Sequence, residues 1–168
     1  MPLPTIAYRL IGRFSISRLD RSLHPLLYRW SGGRWILGRF LGCQMLLLTT
    51  TGRRSGKART VALFTFPVAE PRGTWAVIGS RGGSGIIPAW FRNLVVAPEV
   101  VVQLGGGYFD ARAREVVGDE YEAIFGQAAQ AYAGYRVYRA EASHHIPIVV
   151  LEPVVEPSPG AATPEVAS

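Results

Sequence analysis

The sequence predicts a mainly β protein, an antiparallel sheet closed into a small barrel with flanking helices. Short β-branched or aromatic runs follow one another directly, where a doubly wound sheet would need long helices between them. Gly, Pro and Arg clusters bound these runs as turns do. The 168 residues, 48% hydrophobic, supply one core and are too few for two comfortable domains.

Residues 5 to 40 read as helix interrupted by Pro25 and Gly32-Gly33, so 1–40 form a helical arm and not a separate domain. Arg9, Arg13 and Arg18 break any secretory core, and nothing there approaches a membrane span. Ile6, Leu10 and Phe14 make a narrow apolar stripe beside Arg9 and Arg13. A helix packed on its own domain uses such a stripe, and so does one lying on a membrane surface; the Arg-rich, acid-poor composition also superficially resembles an organelle transit peptide.

Strands are expected over "MLLLTTT" (45–51), "TVALFTF" (60–66) and "TWAVIGS" (74–80). "PAWFRNLVV" (88–96) opens on a proline suited to a first helical turn and stops before Ala97-Pro98, a short helix. "EVVVQL" (99–104), Gly105-Gly106-Gly107 and "YFDARAREVV" (108–117) form a hairpin, with Phe109, Ala111 and Ala113 alternating against Asp110, Arg112 and Arg114. Asp119 and Glu122 have capping-box spacing ahead of a second helix that frays by Gly134. "IPIVVLEP" (146–153) reads as a last buried strand. The barrel domain is therefore 41–155, and 156–168, almost without large apolar side chains, is a disordered tail.

Charge is unevenly placed. The net charge is +6, but the first 60 residues hold 11 of the 18 Lys/Arg and one acid, Asp20. This basic region is available to an anionic partner. Cys43 is the only cysteine, which excludes an intramolecular disulfide and a cysteine-rich zinc site and points to a reducing, cytoplasmic interior.

"GRRSGK" (52–57) approaches a phosphate-binding P-loop but has three residues between its glycines instead of four, and Ala58 where the magnesium-binding hydroxyl belongs. It also joins two strands, so ATP hydrolysis is excluded. What remains is a turn carrying Arg53, Arg54, Lys57 and Arg59, either an anion-binding nest or a solvated hairpin tip. "SRGGSG" (80–85) is a second cationic glycine turn without dinucleotide spacing. Trp90 and Phe91 either fill the core or cover a flat ring. Tyr132, Tyr135 and Tyr138, three apart, line a pocket or make a core stripe. His144 and His145 point apart on a strand and His24 is remote, so no metal is assigned. No G-x-S-x-G, defensible Cys–His pair or carboxylate pair supports hydrolytic or nucleophilic chemistry. Aromatics do not interleave with Lys/Arg as a nucleic-acid platform requires.

Taken in order from about residue 44 to 153, "LLLTTTGRRSGKART", "GSRGG" followed by "PAWFRNLVVAPEVVVQL", "YAGYRVY" and "IPIVVLEP" resemble the deazaflavin-dependent nitroreductase family, quinone reductases that use reduced coenzyme F420. The resemblance implies a split β-barrel related to the flavin mononucleotide-binding fold, and an actinobacterial oxidoreductase passing a hydride to a quinone, nitroaromatic or similar acceptor. It implies coenzyme contacts at Arg53, Arg54, Ser55, Arg59, Thr60, Val61, Ala62, Leu63 and Phe64. Further contacts fall at Ile78, Gly79, Ser80 and Arg81, at Ala89, Trp90, Phe91, Arg92 and Asn93, and at Tyr135. Phe64, Tyr132, Tyr135 and Tyr138 fall on the substrate side, with Ser80 and Tyr135 as hydrogen-bond or proton donors to the acceptor. Phe64 stands where a relative has tyrosine, and "SGII" (84–87) is apolar where relatives can be charged.

Two other functions compete: a split barrel binding flavin mononucleotide, and a non-enzymatic basic module for a membrane surface or an anion. The expected partners are a small-molecule acceptor and no nucleic acid. The expected state is a monomer or homodimer, cytoplasmic or peripheral on the inner face of the cell membrane through the arm.

Overall fold

The structure, a computed structural model, describes residues 44–69 and 71–154. The arm expected over 1–40 and the tail over 156–168 lie outside them. Strand β1 (Gln44–Thr51) turns through 52–57 into β2 (Ala58–Pro67), and β3 (Trp75–Ile78) follows. A single 3-10 turn (Arg81–Gly83) and the short helix α1 (Ala89–Leu94) lead to the hairpin of β4 (Glu99–Leu104) and β5 (Gly107–Glu115). Helices α2 (Gly118–Ala131) and α3 (Gly134–Glu141) precede the last strand, β6 (Ile148–Pro153).

The strands close into a barrel in the order β1-β2-β3-β6-β5-β4, every neighbour antiparallel. This is the mainly β barrel that the sequence predicts. Closure gives each strand two partners and leaves no full-length edge to recruit another chain.

Side-chain alternation divides the core into two layers. Leu46, Leu48, Val77, Val102, Val149 and Leu151 point into the barrel, where Trp90 and Leu94 of α1 join them. Their neighbours Phe66, Ala76, Ile78, Ile148 and Val150 point outward and are covered by Tyr121, Ile124, Phe125 and Ala128 of α2 and Tyr135 and Tyr138 of α3. Strands β3 and β6 are thus buried on both faces, which is why "WAVI" and "IVVL" are continuous apolar runs. The hairpin has one solvated face: Ala111 is 1% exposed, while its neighbours Asp110 and Arg112 face water.

Two local expectations change. The capping box does not form; Val117 is the N-cap of α2 and contributes no side-chain hydrogen bond. Glu122 pairs instead with Arg139 of α3 through two hydrogen bonds of 2.9 and 2.7 Å, so a charged tertiary partner replaces a local backbone one. The chain also breaks at Tyr132, in extended backbone, and resumes as α3, a helix not expected from the sequence. Among the described residues no helix is long and apolar enough to cross a membrane.

On the surface, Arg114 binds Glu120 at 2.9 and 3.0 Å and Glu152 at 3.0 Å, tying β5 to α2 and β6. These hydrogen bonds hold the Glu120 carboxyl below its ordinary value of 4.5. A carboxyl lowered on folding stabilises at pH above its unfolded value, and that contribution is lost as pH falls through the folded one. Because both groups are well exposed, solvent screening limits the pair to about 1 kcal/mol or less. Glu120→Gln should therefore lower unfolding free energy by no more than about 1 kcal/mol near neutrality, the gap from wild type closing below pH 4.5 in urea titrations. By contrast, Leu151→Ala, at a fully buried position, should cost about 2–5 kcal/mol at any pH that keeps the protein folded.

Candidate functional site

The site follows from a mismatch of strand lengths. β2 runs for 10 residues and β3 for 4, and of β2 only Thr65–Pro67 pair with β3. The stretch Arg59–Leu63 pairs with β1 on one side; on the other it faces a groove of about 590 Å³. The 52–55 turn, the Arg81-Gly82 turn, the segment 86–88 and α1 form the remaining walls.

Five arginines line this groove, Arg53, Arg54, Arg59, Arg81 and Arg92, and no Asp or Glu does. None of the five has an ion pair with an acid among the described residues. The opposite character comes from Ala62, Ile78, Ile86, Ile87, Pro88 and Trp90, an apolar wall on the same cavity. A ligand suited to it has a multiply anionic part and a flat or apolar part.

Asn93 holds the basic turn in place. It is 5% exposed, its Nδ2 donates to Thr50 Oγ1 at 3.0 Å, and its Oδ1 accepts from the Arg53 backbone N–H at 3.2 Å. Thr50 in turn donates to the Arg59 carbonyl at 3.4 Å, so one buried amide joins α1, β1 and both ends of the cationic turn. Within the turn, the Gly52 N–H donates to the Lys57 carbonyl at 2.9 Å, and Ser55 and Gly56 donate back to the Gly52 carbonyl. The arginine side chains project from a backbone that is already hydrogen-bonded, which reduces the conformational entropy lost on binding.

Of the residues implied by resemblance, Arg53, Arg54, Ser55 and Arg59 through Leu63 lie on the groove, as do Ile78, Arg81, Ala89, Trp90, Arg92 and Asn93. Phe64, Gly79, Ser80, Phe91 and Tyr135 are not among the residues lining it. Phe64 packs toward Tyr132 with ring centroids 6.2 Å apart. Phe91 packs edge-on to Trp90 against the barrel core. Gly79 is a close-approach position: a Cβ there would meet the Pro147 ring at 2.7 Å, and its N–H donates to the Pro147 carbonyl at 2.8 Å. Ser80, half-buried, opens the Arg81–Gly83 turn beside the groove. Tyr132, Tyr135 and Tyr138 are 5%, 4% and 4% exposed, and Tyr135 packs edge-to-face with both of the others within the helix-side core.

Sequence reasoning missed Gly52, Gly82 and the apolar stretch Ile86-Ile87-Pro88 as lining residues. The apolar character of "SGII" was visible in the sequence, but that Ile86 is 49% exposed at the groove is shown only by the structure. His144 and His145 lie far along the chain from the groove walls, in a separate depression with Asp119, Glu122 and Arg139. Among the described residues no group of three His, Cys, Asp or Glu is placed to hold a metal.

Fold and groove together define a small antiparallel-barrel protein with an external cationic cleft. More particularly, the chain belongs to the F420H(2)-dependent quinone reductase family, a family of oxidoreductases, whose model matches residues 22–153. It is similar to an F420H(2)-dependent quinone reductase of Mycobacterium tuberculosis, 32% identical over 133 residues covering 77% of this chain and 87% of the relative. A second Mycobacterium tuberculosis protein, a putative quinone reductase of the same type, is 29% identical over 64% of this chain and 88% of its own length. Among solved structures, an F420-H2 dependent reductase, FDR-A, aligns with TM-score 0.59 and 36% identity over 64% of this chain and 93% of its own. Another, a domain-swapped dimer, has the same TM-score and identity and is covered over 79%. The haem storage protein HutZ of Vibrio cholerae, 18% identical over 73% of this chain and 90% of its own with TM-score 0.52, shares the fold.

Asn93→Ala would remove the hydrogen bonds to the part-buried Arg53 N–H and to the Thr50 hydroxyl, which keeps its bond to the Arg59 carbonyl, a loss of about 1–3 kcal/mol. Denaturant unfolding should read that loss, and amide exchange at Arg53 should accelerate ahead of the barrel strands. Unchanged exchange at Arg53 would mean that Asn93 does not hold the turn.

Proposed function

We propose that this groove binds coenzyme F420 and that the chain reduces a quinone, or a comparable electron-poor acceptor such as a nitroaromatic, by hydride transfer. The observation that carries the reading is the concentration of five arginines on one groove without an acid. The coenzyme joins a flat deazaflavin to a phosphate and an oligoglutamate tail, and the groove offers cations and an apolar wall side by side. Flavin mononucleotide, with a lone phosphate, would leave several of those guanidinium groups without a partner. The residues present therefore fit the deazaflavin coenzyme better.

In this reading Arg53, Arg54 and Arg59 hold the acidic tail, since a guanidinium fork matches carboxylate and phosphate geometry alike. Trp90, Ile86, Ile87 and Pro88 shield the flat part from water. When bound, the coenzyme supplies the hydride. The protein's contribution is alignment of donor and acceptor, and this needs no nucleophile. As negative charge develops on the acceptor oxygen, the Ser80 hydroxyl at the head of the Arg81 turn is the candidate donor of a hydrogen bond to it. Tyr135, 4% exposed against Phe66, acts in this reading from behind the groove, through packing. We place the enzyme in the cytoplasm, on the reducing interior inferred from its single cysteine.

Titrating oxidised coenzyme F420 and flavin mononucleotide into the full chain, followed by fluorescence, tests the reading. The first should bind below about 100 μM and the second more weakly; no binding of the first at that concentration overturns it. Arg54→Glu should weaken binding at least about tenfold at low salt, with the difference shrinking as salt is raised. An unchanged affinity at low salt would remove Arg54 from the tail clamp.

A further inference from the structure

Arg81, Gly82 and Gly83 have φ values of +45°, +61° and +75°, three successive residues in the left-handed region. Glycine occupies that region freely, but for Arg81 it costs about 1 kcal/mol or more. The turn's own hydrogen bonds are two: the Gly83 N–H donates to the Ser80 carbonyl at 3.0 Å, and the Ser84 N–H to the Arg81 carbonyl at 3.3 Å. A strained turn of this kind persists only where something outside it fixes its shape.

Tyr138 supplies the support. Its ring lies directly under Gly83, so close that a Cβ on that glycine would meet the ring's Cδ1 at 2.7 Å. The ring is itself fixed. Tyr138 is 4% exposed, its hydroxyl lies 3.0 Å from that of Tyr132, and the Tyr132 and Tyr135 rings each pack at 6.1 Å between centroids. Arg81 lines the groove, whereas Tyr138 is not among its lining residues.

We infer that Tyr138 is a positioning residue: its ring holds the Arg81–Gly83 turn in its left-handed shape and thereby aims the Arg81 guanidinium into the groove. The tyrosine row then acts on the coenzyme through the turn. The link from turn to ligand rests on the proposed coenzyme site; the link from ring to turn does not.

The test uses the full chain and two readouts. In the ligand-free protein, Tyr138→Leu should speed amide exchange across 80–85 by at least about tenfold while leaving Leu46 and Val150 unchanged. Tyr138→Phe keeps the ring and should stay within about threefold of wild type, which separates ring packing from the hydroxyl pair. In titrations with oxidised coenzyme F420, Tyr138→Leu should weaken binding about as much as Arg81→Ala, and the double variant no further than either, the signature of two residues acting as one unit. Should Tyr138→Leu unfold the chain, Tyr138→Met also removes the ring while filling more of its space, and it should give the same pattern. Unchanged exchange across 80–85, or additive losses in the double variant, overturns the inference. A wild-type chain that fails to bind the coenzyme would overturn the proposed function, and the exchange comparison would still decide whether the ring holds the turn.

Discussion

Burial of β3 and β6 on both faces is the constraint on which the rest of the molecule depends. Their inward residues close the barrel and their outward residues require a second layer, which α2 and α3 provide. At about 25 cal/mol per Å² of apolar surface removed from water, neither layer is dispensable in a domain of this size. Once the helices occupy that side, the remaining outer wall of β2 is free of them. The groove lies there, bounded by turns and one short helix.

The cationic cleft is a consequence of where β3 stops. A β3 as long as β2 would pair along Arg59–Leu63 and fill the space in which a ligand can lie. Its brevity turns one stretch of strand into a binding wall while the other side of that stretch stays hydrogen-bonded to β1. Around the wall, the two basic turns are fixed by different means. Asn93, itself buried, holds the first with a pair of hydrogen bonds, and the Tyr138 ring packs beneath the second. Both supports come from elements distant in sequence, 40 residues from Arg53 in the case of Asn93. Cations delivered by rigid turns lose less entropy on meeting an anion than cations on a mobile loop.

Much of this was legible in the chain. Period-2 alternation in β5 separated Phe109, Ala111 and Ala113 from Asp110 and Arg112, and the apolar run of β6 marked a buried strand. The basic turn was visible as a cluster of like charges between two strand-like segments. What misled was local spacing. Asp119 and Glu122 have the spacing of a capping box, yet Glu122 is taken by Arg139 and the cap stays unmade. The three tyrosines have helical spacing, but Tyr132 ends α2 while Tyr135 and Tyr138 ride on α3. A spacing rule presumes one continuous helix, whereas the chain breaks just before Gly134, the residue by which the helix was expected to fray.

The sequence by itself determined the strand set, the barrel class, the basic turns and the family, because each is written in short-range pattern: apolar period, turn chemistry and the residues of contiguous motifs. Only the tertiary structure decided that Arg53, Arg54, Arg59, Arg81 and Arg92 share one groove, that Ile86, Ile87 and Pro88 form its apolar wall, and that the tyrosine row stands behind a turn. Those outcomes depend on where β3 ends and on which side the helices cover. Both are set by packing between segments far apart in the chain, and pattern within any one segment carries no record of them.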